Sequence, residues 1–329
     1  MLLLSAVWIA PAQAASGSPD VPSQRALELY AKHEQVCEQR GWHKFTLTVD
    51  GRERQLFWKG PPGAWTHGAI IAFHGGGGMD SNYCSTAILG QPMVDFADQA
   101  LAQGFAVFSP NAARGVLKDA KGNSCGKRWN CVTQPHEQGT SLDLAFIRTL
   151  LTQAIPALRP PGSATDLFVT GVSNGGFMTV LVGTQFPGLI SAFAPVSAGD
   201  PYGTHMDCGP GPLASIRKSA PGSFHDNETG RSVAKRDACS ATAYPHEQPW
   251  PEAAGPKPPF KLFYHEGDAG VDLSCKHKLR QLLITHGYPD DGSFIITDRG
   301  RRTIPKHFWV APYNKPILEF FSRSARARQ

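Results

Sequence analysis

A chain of 329 residues that is 41% hydrophobic and 18% charged can bury a sizeable core in one α/β domain. It has neither the charge excess of a disordered chain nor the apolar profile of a membrane protein. The formal net charge is +5 and the basic residues are scattered rather than massed in a stripe, which argues against nucleic-acid binding. Only the tail from Arg323 to Arg328 concentrates charge, and it reads as a solvated end.

The chain begins with an apolar run, Met1 to Ala10, followed by Pro11-Ala12-Gln13-Ala14-Ala15. This pattern predicts a secretory signal peptide cleaved after Ala14 and too short to span a membrane. Residues 15–43 then form an N-terminal extension and 44–329 a single domain. Seven cysteines agree with a secreted or periplasmic protein, because disulfides persist in oxidising compartments. Cys125 with Cys131 and Cys208 with Cys239 are the expected bridges, and the odd number leaves one thiol over. The Cys and His spacings do not suit zinc, so no metal is expected.

From Gln24 to Gln39 the spacing is helical. Residues Lys44 to Val49 and Arg52 to Trp58 alternate on either side of Asp50-Gly51, which predicts a hairpin. Ala69 to Phe73 is a continuous apolar run of the kind found in strands buried on both faces of a parallel sheet. It ends in His74-Gly75-Gly76-Gly77-Gly78. A helix near Val94 to Gln103, a strand at Phe105 to Ser109, a polar loop holding Trp129, and a helix from Leu142 to Ala154 follow. Further strands are expected at Asp166 to Thr170, Leu189 to Ser197, Phe260 to Tyr264 and Ser293 to Thr297, with helices at Ser274 to Thr285 and Pro316 to Ser324. Strands alternating with helices imply crossovers and a mostly parallel sheet. Between Ala198 and Pro259 the pattern gives way to Gly, Pro, Ser and polar residues, including a formal glycosylation sequon at Asn227. So long an irregular connection inside a domain suggests a lid-like insertion at residues 198–259.

The most informative stretch is Gly171-Val172-Ser173-Asn174-Gly175-Gly176, set between a strand and a helix. It matches the G-x-S-x-G elbow, in which a sharp turn lifts a serine hydroxyl clear of the sheet while the glycines admit neighbouring backbone. Oxyanion charge developing there would meet backbone N–H groups and the positive end of a helix. The N–H of Asn174 and those of Gly75 and Gly76 are the expected oxyanion donors, the glycine loop resembling the H-G-G-G element of esterases and lipases. His74 and Trp309 are assigned to substrate contact.

Serine needs an adjacent base, oriented by a third group, and in this fold the order is Ser, then acid, then His. His307 is the only histidine beyond the last expected strand. Asp268 follows the strand that starts at Lys261, with Glu266 and Asp272 as competitors. His277 lies within a helix, and His286, followed by Gly287, suits a helix C-terminus.

Together, the S-N-G-G elbow, the Asp268-x-x-Val271 step, His307-x-Trp309 and the Val49-Asp50-Gly51-Arg52-Glu53-Arg54 hairpin resemble the secreted polyhydroxybutyrate depolymerases and the feruloyl or acetylxylan esterases, over residues 44 to 320. The chain departs from that family at Lys306, Val310-Ala311, His265-Glu266-Gly267-Asp268 and the extra glycines after His74. The resemblance implies an α/β-hydrolase fold with a mostly parallel sheet flanked by helices. It also implies a serine esterase without cofactor, acting on an ester substrate that is polymeric in the depolymerase reading. No nucleic-acid partner and no membrane anchor are expected after signal cleavage, and the oligomeric state is left open. The alternatives are a serine peptidase and a non-catalytic polymer binder using Trp129, Trp250 and Trp309 as exposed aromatics.

Overall fold

The computed structural model describes residues 24–86, 90–113, 127, 129, 142–202, 223–226, 231–234, 250–252, 255–298 and 300–326. The expected signal peptide, the sequon, Cys125, Cys131, Cys208, Cys239 and most of segment 198–259 lie outside them.

The chain order is α1 (Gln24–Gln39), β1 (His43–Val49), β2 (Arg52–Lys59), β3 (Ala69–Phe73), α2 (Gln91–Ala102), β4 (Ala106–Pro110), α3 (Leu142–Thr149), a π-turn (Leu150–Ala154), α4 (Ile155–Leu158), β5 (Leu167–Val172), α5 (Asn174–Gln185) and β6 (Ala192–Val196). There follow β7 (Ser223–Asp226), β8 (Arg231–Ala234), β9 (Phe260–His265), α6 (Leu273–Thr285), β10 (Asp290–Ile296) and α7 (Asn314–Arg326). Eight strands form one sheet in the order β1-β2-β4-β3-β5-β6-β9-β10. The β1–β2 and β2–β4 pairs are antiparallel and the rest parallel.

Residue type sets this order from edge to centre. Strands β3, β4, β5 and β6 are buried at every position, as continuous apolar runs covered on both faces must be. At the edge, β1 alternates between exposed and partly buried residues. Its hairpin turns at Asp50 and Gly51, both at positive φ (50° and 71°), the Asp-Gly geometry that matches strand twist. Along β3 the side chains alternate between two cores. Ala69, Ile71 and Phe73 join Phe146, Val180 and Leu279 from α3, α5 and α6. Ile70 and Ala72 join Phe96 and Ile317 from α2 and α7.

The helix expected to stop at Ala154 runs on to Leu158. Pro156 lacks an N–H and would clash with a carbonyl one α-turn back. The wider π-turn just before it, closed by Ile155 N–H donating to Leu150 O, absorbs that mismatch. Conversely, the strand expected from Leu189 starts only at Ala192, because the N–H groups of Leu189 and Ile190 both turn back to Phe186 O. In the segment that sequence leaves patternless, β7 and β8 pair as a short antiparallel hairpin. Four-residue strands are too brief for a hydrophobic period to register.

A disulfide joins Cys37 of α1 to Cys84, with the Cα atoms 5.0 Å apart. Cys84 closes the short turn Asp80–Tyr83 that follows the glycine loop, so the N-terminal helix is tied to the segment below the site. On the other side, a buried ion pair between Arg54 of β2 and Asp143 of α3 (2.5 Å) fixes the hairpin to the helical layer. Among the described residues, no helix is long and apolar enough to cross a membrane.

Candidate active site

At the end of β5 the chain turns through Ser173 at φ 57° and ψ −123° directly into α5. A non-glycine residue persists there only when its surroundings over-determine it. Ser173 N–H donates to Val196 O at 3.0 Å, and Phe177 N–H closes the first helical turn on Ser173 O at 2.9 Å. The flanking glycines show why no Cβ is tolerated. One on Gly171 would lie 2.6 Å from Gly175 O, one on Gly175 would lie 2.3 Å from His74 O, and one on Gly176 would lie 2.4 Å from Val196 O. The elbow is therefore wedged between the ends of β3 and β6.

His307 ends the short turn Pro305–His307 and spans two groups. Its Nε2 lies 2.7 Å from Ser173 Oγ and its Nδ1 lies 2.9 Å from Asp268 Oδ1. Gly270 lets the ring pack this closely, since a Cβ there would fall 2.4 Å from the imidazole. Asp268 is fully buried just past β9. Its Oδ1 also accepts the N–H groups of Gly270 (2.6 Å) and Val271 (3.1 Å). Lys276 Nζ reaches its Oδ2 at 2.6 Å. Burial pushes the carboxyl pKa up, but the His307 hydrogen bond and the charges of His307 and Lys276 outweigh it and hold the group down at about 2. Asp268 is thus a carboxylate throughout the neutral range.

The competing acids are placed elsewhere. Asp272 is the N-cap of α6, accepting Ser274 N–H at 2.9 Å and pairing with Arg302 at 3.0 Å. Glu266 is partly exposed, and its N–H donates to Ile296 O in the strand ladder. His286 is the C-cap of α6 with Gly287 beyond it at φ +79°, as its sequence context predicts.

The glycine loop adjoins the serine: a Cβ built on Gly75 would lie 3.7 Å from Ser173 Cβ. His74, however, is fully buried and has no surface through which to meet a substrate. Its Nδ1 donates to Gly75 O at 2.7 Å, and its Nε2 accepts Ala112 N–H at 3.1 Å. The ring therefore orders the loop, and the expectation of a substrate contact is corrected. Trp129 is equally buried. Its indole N–H donates to His74 O at 2.9 Å, while its backbone exchanges two hydrogen bonds with the Asn174 side chain, at 2.7 and 3.2 Å. It pins the glycine loop to the elbow rather than offering an exposed face to polymer. Trp309 is only 4% exposed, donates to Asn314 Oδ1 at 2.7 Å and packs edge-on against Tyr83 and Phe96. Its ring anchors the histidine loop to the core and also forms one wall of a cavity beside the glycine loop. Trp250 is partly buried and stacks on His286. The aromatic polymer-binding surface therefore loses Trp129 and Trp309.

Sequence reasoning missed Lys276, although a signal was present. Lys276, Leu279 and Leu283 share the buried stripe of α6, and a lysine in such a stripe is an anomaly. Burial lowers its pKa, and Asp268 opposes that effect. Among the described residues, no cluster of three or more His, Cys, Asp or Glu has the geometry of a metal site.

No protein-family profile matches the sequence, and no curated protein sequence matches it. Solved structures do. A lipase in its open form aligns with a TM-score of 0.55 at 16% identity, over 86% of this chain and 99% of its own. The acylaminoacyl peptidase of Pyrococcus horikoshii aligns at 0.54 and 16% identity, over 86% and 41%. A thermostable esterase aligns at 0.51 and 14% identity, over 88% and 64%. The chain thus spans less than two thirds of the esterase and of the peptidase, and nearly all of the lipase. At these identities the likeness concerns the fold. With the eight-stranded sheet and its strand order, it establishes that this chain adopts the α/β-hydrolase fold.

Proposed function

We propose that the chain is a secreted serine esterase that hydrolyses carboxylic esters through Ser173, His307 and Asp268. The observation that supports this most is one imidazole within hydrogen-bond distance of both a strained elbow serine and a buried carboxylate. Ser173 Oγ attacks the ester carbonyl while His307 Nε2 takes its proton. Asp268 holds the Nδ1–H tautomer and stabilises the imidazolium without itself taking up the proton. The N–H groups of Asn174 and of Gly75 and Gly76 receive the oxyanion, each donor contributing about 3 to 4 kcal/mol to the transition state. Collapse passes the proton from His307 to the departing alcohol. Water, deprotonated by the same nitrogen, then releases the acid and regenerates the serine.

The acyl group has a candidate berth in the cavity of about 110 Å³ lined by Gly76, Met79, Met93, Val172, Phe308 and Trp309. Val172 precedes the serine and Phe308 follows the histidine, so the cavity flanks the reacting atoms. Among the described residues its lining carries no charged side chain, which favours uncharged acyl groups. Hydroxyalkanoyl, acetyl and feruloyl esters all meet that condition and form the substrate panel. The same constellation also cleaves amides, so parallel assays on esters and peptides separate esterase from peptidase.

Ser173→Ala should abolish ester turnover while the circular dichroism spectrum and melting temperature are retained. Hydrolysis at the wild-type rate by that variant would refute the assignment.

A further inference from the structure

The carboxylate that orients His307 is shared with a second cation. Lys276 Nζ sits 2.6 Å from Asp268 Oδ2, with side-chain exposures of 1% and 0%. The same ammonium lies 3.4 Å from His265 O and 5.2 Å from the centre of the Tyr264 ring. Geometry alone does not require it. Asp268 Oδ1 already accepts His307, Gly270 and Val271, which suffices to fix the carboxyl plane. Position does not require it either, since the neighbouring buried positions on α6 are Cys275, Leu279 and Leu283, and an apolar residue would continue that stripe without a charge to desolvate. A buried ammonium retained here acts on something, and what it touches is the triad carboxylate.

We propose that Lys276 is a positioning residue that neutralises part of the Asp268 charge, which would otherwise hold a proton on His307, and so extends ester hydrolysis toward lower pH. The inference rests on the reading of Ser173, His307 and Asp268 as a triad. An imidazole beside an unshielded buried carboxylate binds its proton tightly, and the protonated ring is not a base. A second cation on the far oxygen weakens that hold. It also keeps the carboxyl ionised in a site where desolvation favours the neutral form.

The other charged groups nearby do not supply this effect. Arg302 donates from Nε (2.8 Å) and from its terminal nitrogen (2.5 Å) to Asp268 O, the backbone oxygen, and its charge is offset by Asp272 at 3.0 Å. His265 faces Gly267 N–H and Asp298. Lys306 points away to Asp298 at 2.6 Å. The Tyr313 hydroxyl is pushed up by burial and by the Asp268 charge and stays neutral.

The test measures kcat/KM for a nitrophenyl butanoate from pH 4.5 to 9 in the full chain and in Lys276→Met, Lys276→Gln and Lys276→Arg, with Ser173→Ala as the control. The acid limb should move up by about one pH unit in the Met and Gln variants, the lower end of the shift that one neighbouring charge produces. At pH 5 that is roughly a tenfold loss relative to wild type, with the plateau at pH 8 kept within about threefold. Lys276→Arg keeps the charge and should keep the wild-type limb. Gln retains a donor to Asp268 Oδ2 without charge, so it decides the question if the Met variant does not fold. A Gln variant whose melting temperature or plateau falls while its acid limb stays in place overturns the proposal and leaves Lys276 a structural residue. An inert Ser173→Ala shows that such a failure belongs to Lys276 alone, whereas a Ser173→Ala variant that still turns over removes the triad reading and this proposal together.

Discussion

Replacing Gly175 by alanine adds one methyl group at the most confined point of the elbow. That carbon would fall 2.3 Å from His74 O, 2.5 Å from Phe73 O and 2.8 Å from Phe73 C. All three atoms are backbone at the end of β3, so none can swing aside as a side chain would. Ordinary contact begins near 3.4 Å, and the elbow and α5 must therefore retreat from β3 by roughly 1 Å. Such overpacking costs about 1–3 kcal/mol, a fall in Tm of roughly 2–5 °C for a domain of this size. The kinetic loss should be larger. The displaced atoms carry Ser173 and Asn174 on one side and the glycine loop on the other, and a misplacement of about 1 Å costs on the order of 10²-fold in rate. Gly188→Ala is the control, because nothing lies within 4 Å of its added carbon and its φ is not positive. Calorimetry and steady-state kinetics on the two variants give the comparison. A Gly175→Ala protein with unchanged Tm and kcat/KM within threefold of wild type would show that the elbow is not wedged as described.

Asp80, fully buried below the glycine loop, has its carboxyl pushed from 3.8 up to about 7 by burial and by the charge of Glu34. Its folded value lies above its unfolded one, so its contribution to stability is complete below about pH 4 and is lost as pH rises through 7. Asp80→Asn should therefore be more stable than wild type at pH 8, by up to about 4 kcal/mol, with the gap closing toward pH 4. Urea unfolding curves whose separation does not change with pH would contradict this. Removing the Cys37–Cys84 bridge, which closes a loop of 47 residues, should cost about 4 kcal/mol in the double serine variant, read as a lower urea midpoint. Trp129→Phe keeps an aromatic, though smaller, ring and deletes the indole N–H bond to His74 O, and kcat should fall roughly tenfold with KM little changed. An unaltered kcat would mean that the glycine loop is held without Trp129.

Several features of this protein were legible in its residues because they depend on local physics. The hairpin at Asp50-Gly51 follows from positive-φ tolerance, and the elbow follows from glycines on either side of a serine between a strand and a helix. The central strands follow from unbroken apolar runs. His307 was found because it alone lies beyond the last strand. The structure brings it to Ser173 across a sequence separation of 134 residues. Other features depend on which segments meet, and no local pattern encodes that. Cys37 pairs with Cys84 because α1 packs on the turn after the glycine loop. In the sequence His74 and Trp309 are assigned to substrate contact and Trp129 to an exposed polymer-binding face. Tertiary packing buries all three: His74 and Trp129 order the glycine loop, and Trp309 anchors the segment after His307 while lining the cavity beside Gly76.

Asp268 marks the boundary between the two kinds of knowledge. Strand order narrowed the acid to three neighbouring carboxylates, and sequence goes no further because they differ by only a few residues. The fold separates them: Asp272 caps and pairs at the start of α6, Glu266 stays partly exposed at the end of β9, and Asp268 alone turns inward to His307 and Lys276. The chain by itself determined that a serine would stand on an elbow with a histidine to follow. Only the tertiary structure decided which carboxylate orients that histidine and that a buried lysine shares it, because burial and the meeting of distant segments are properties of the packed sheet.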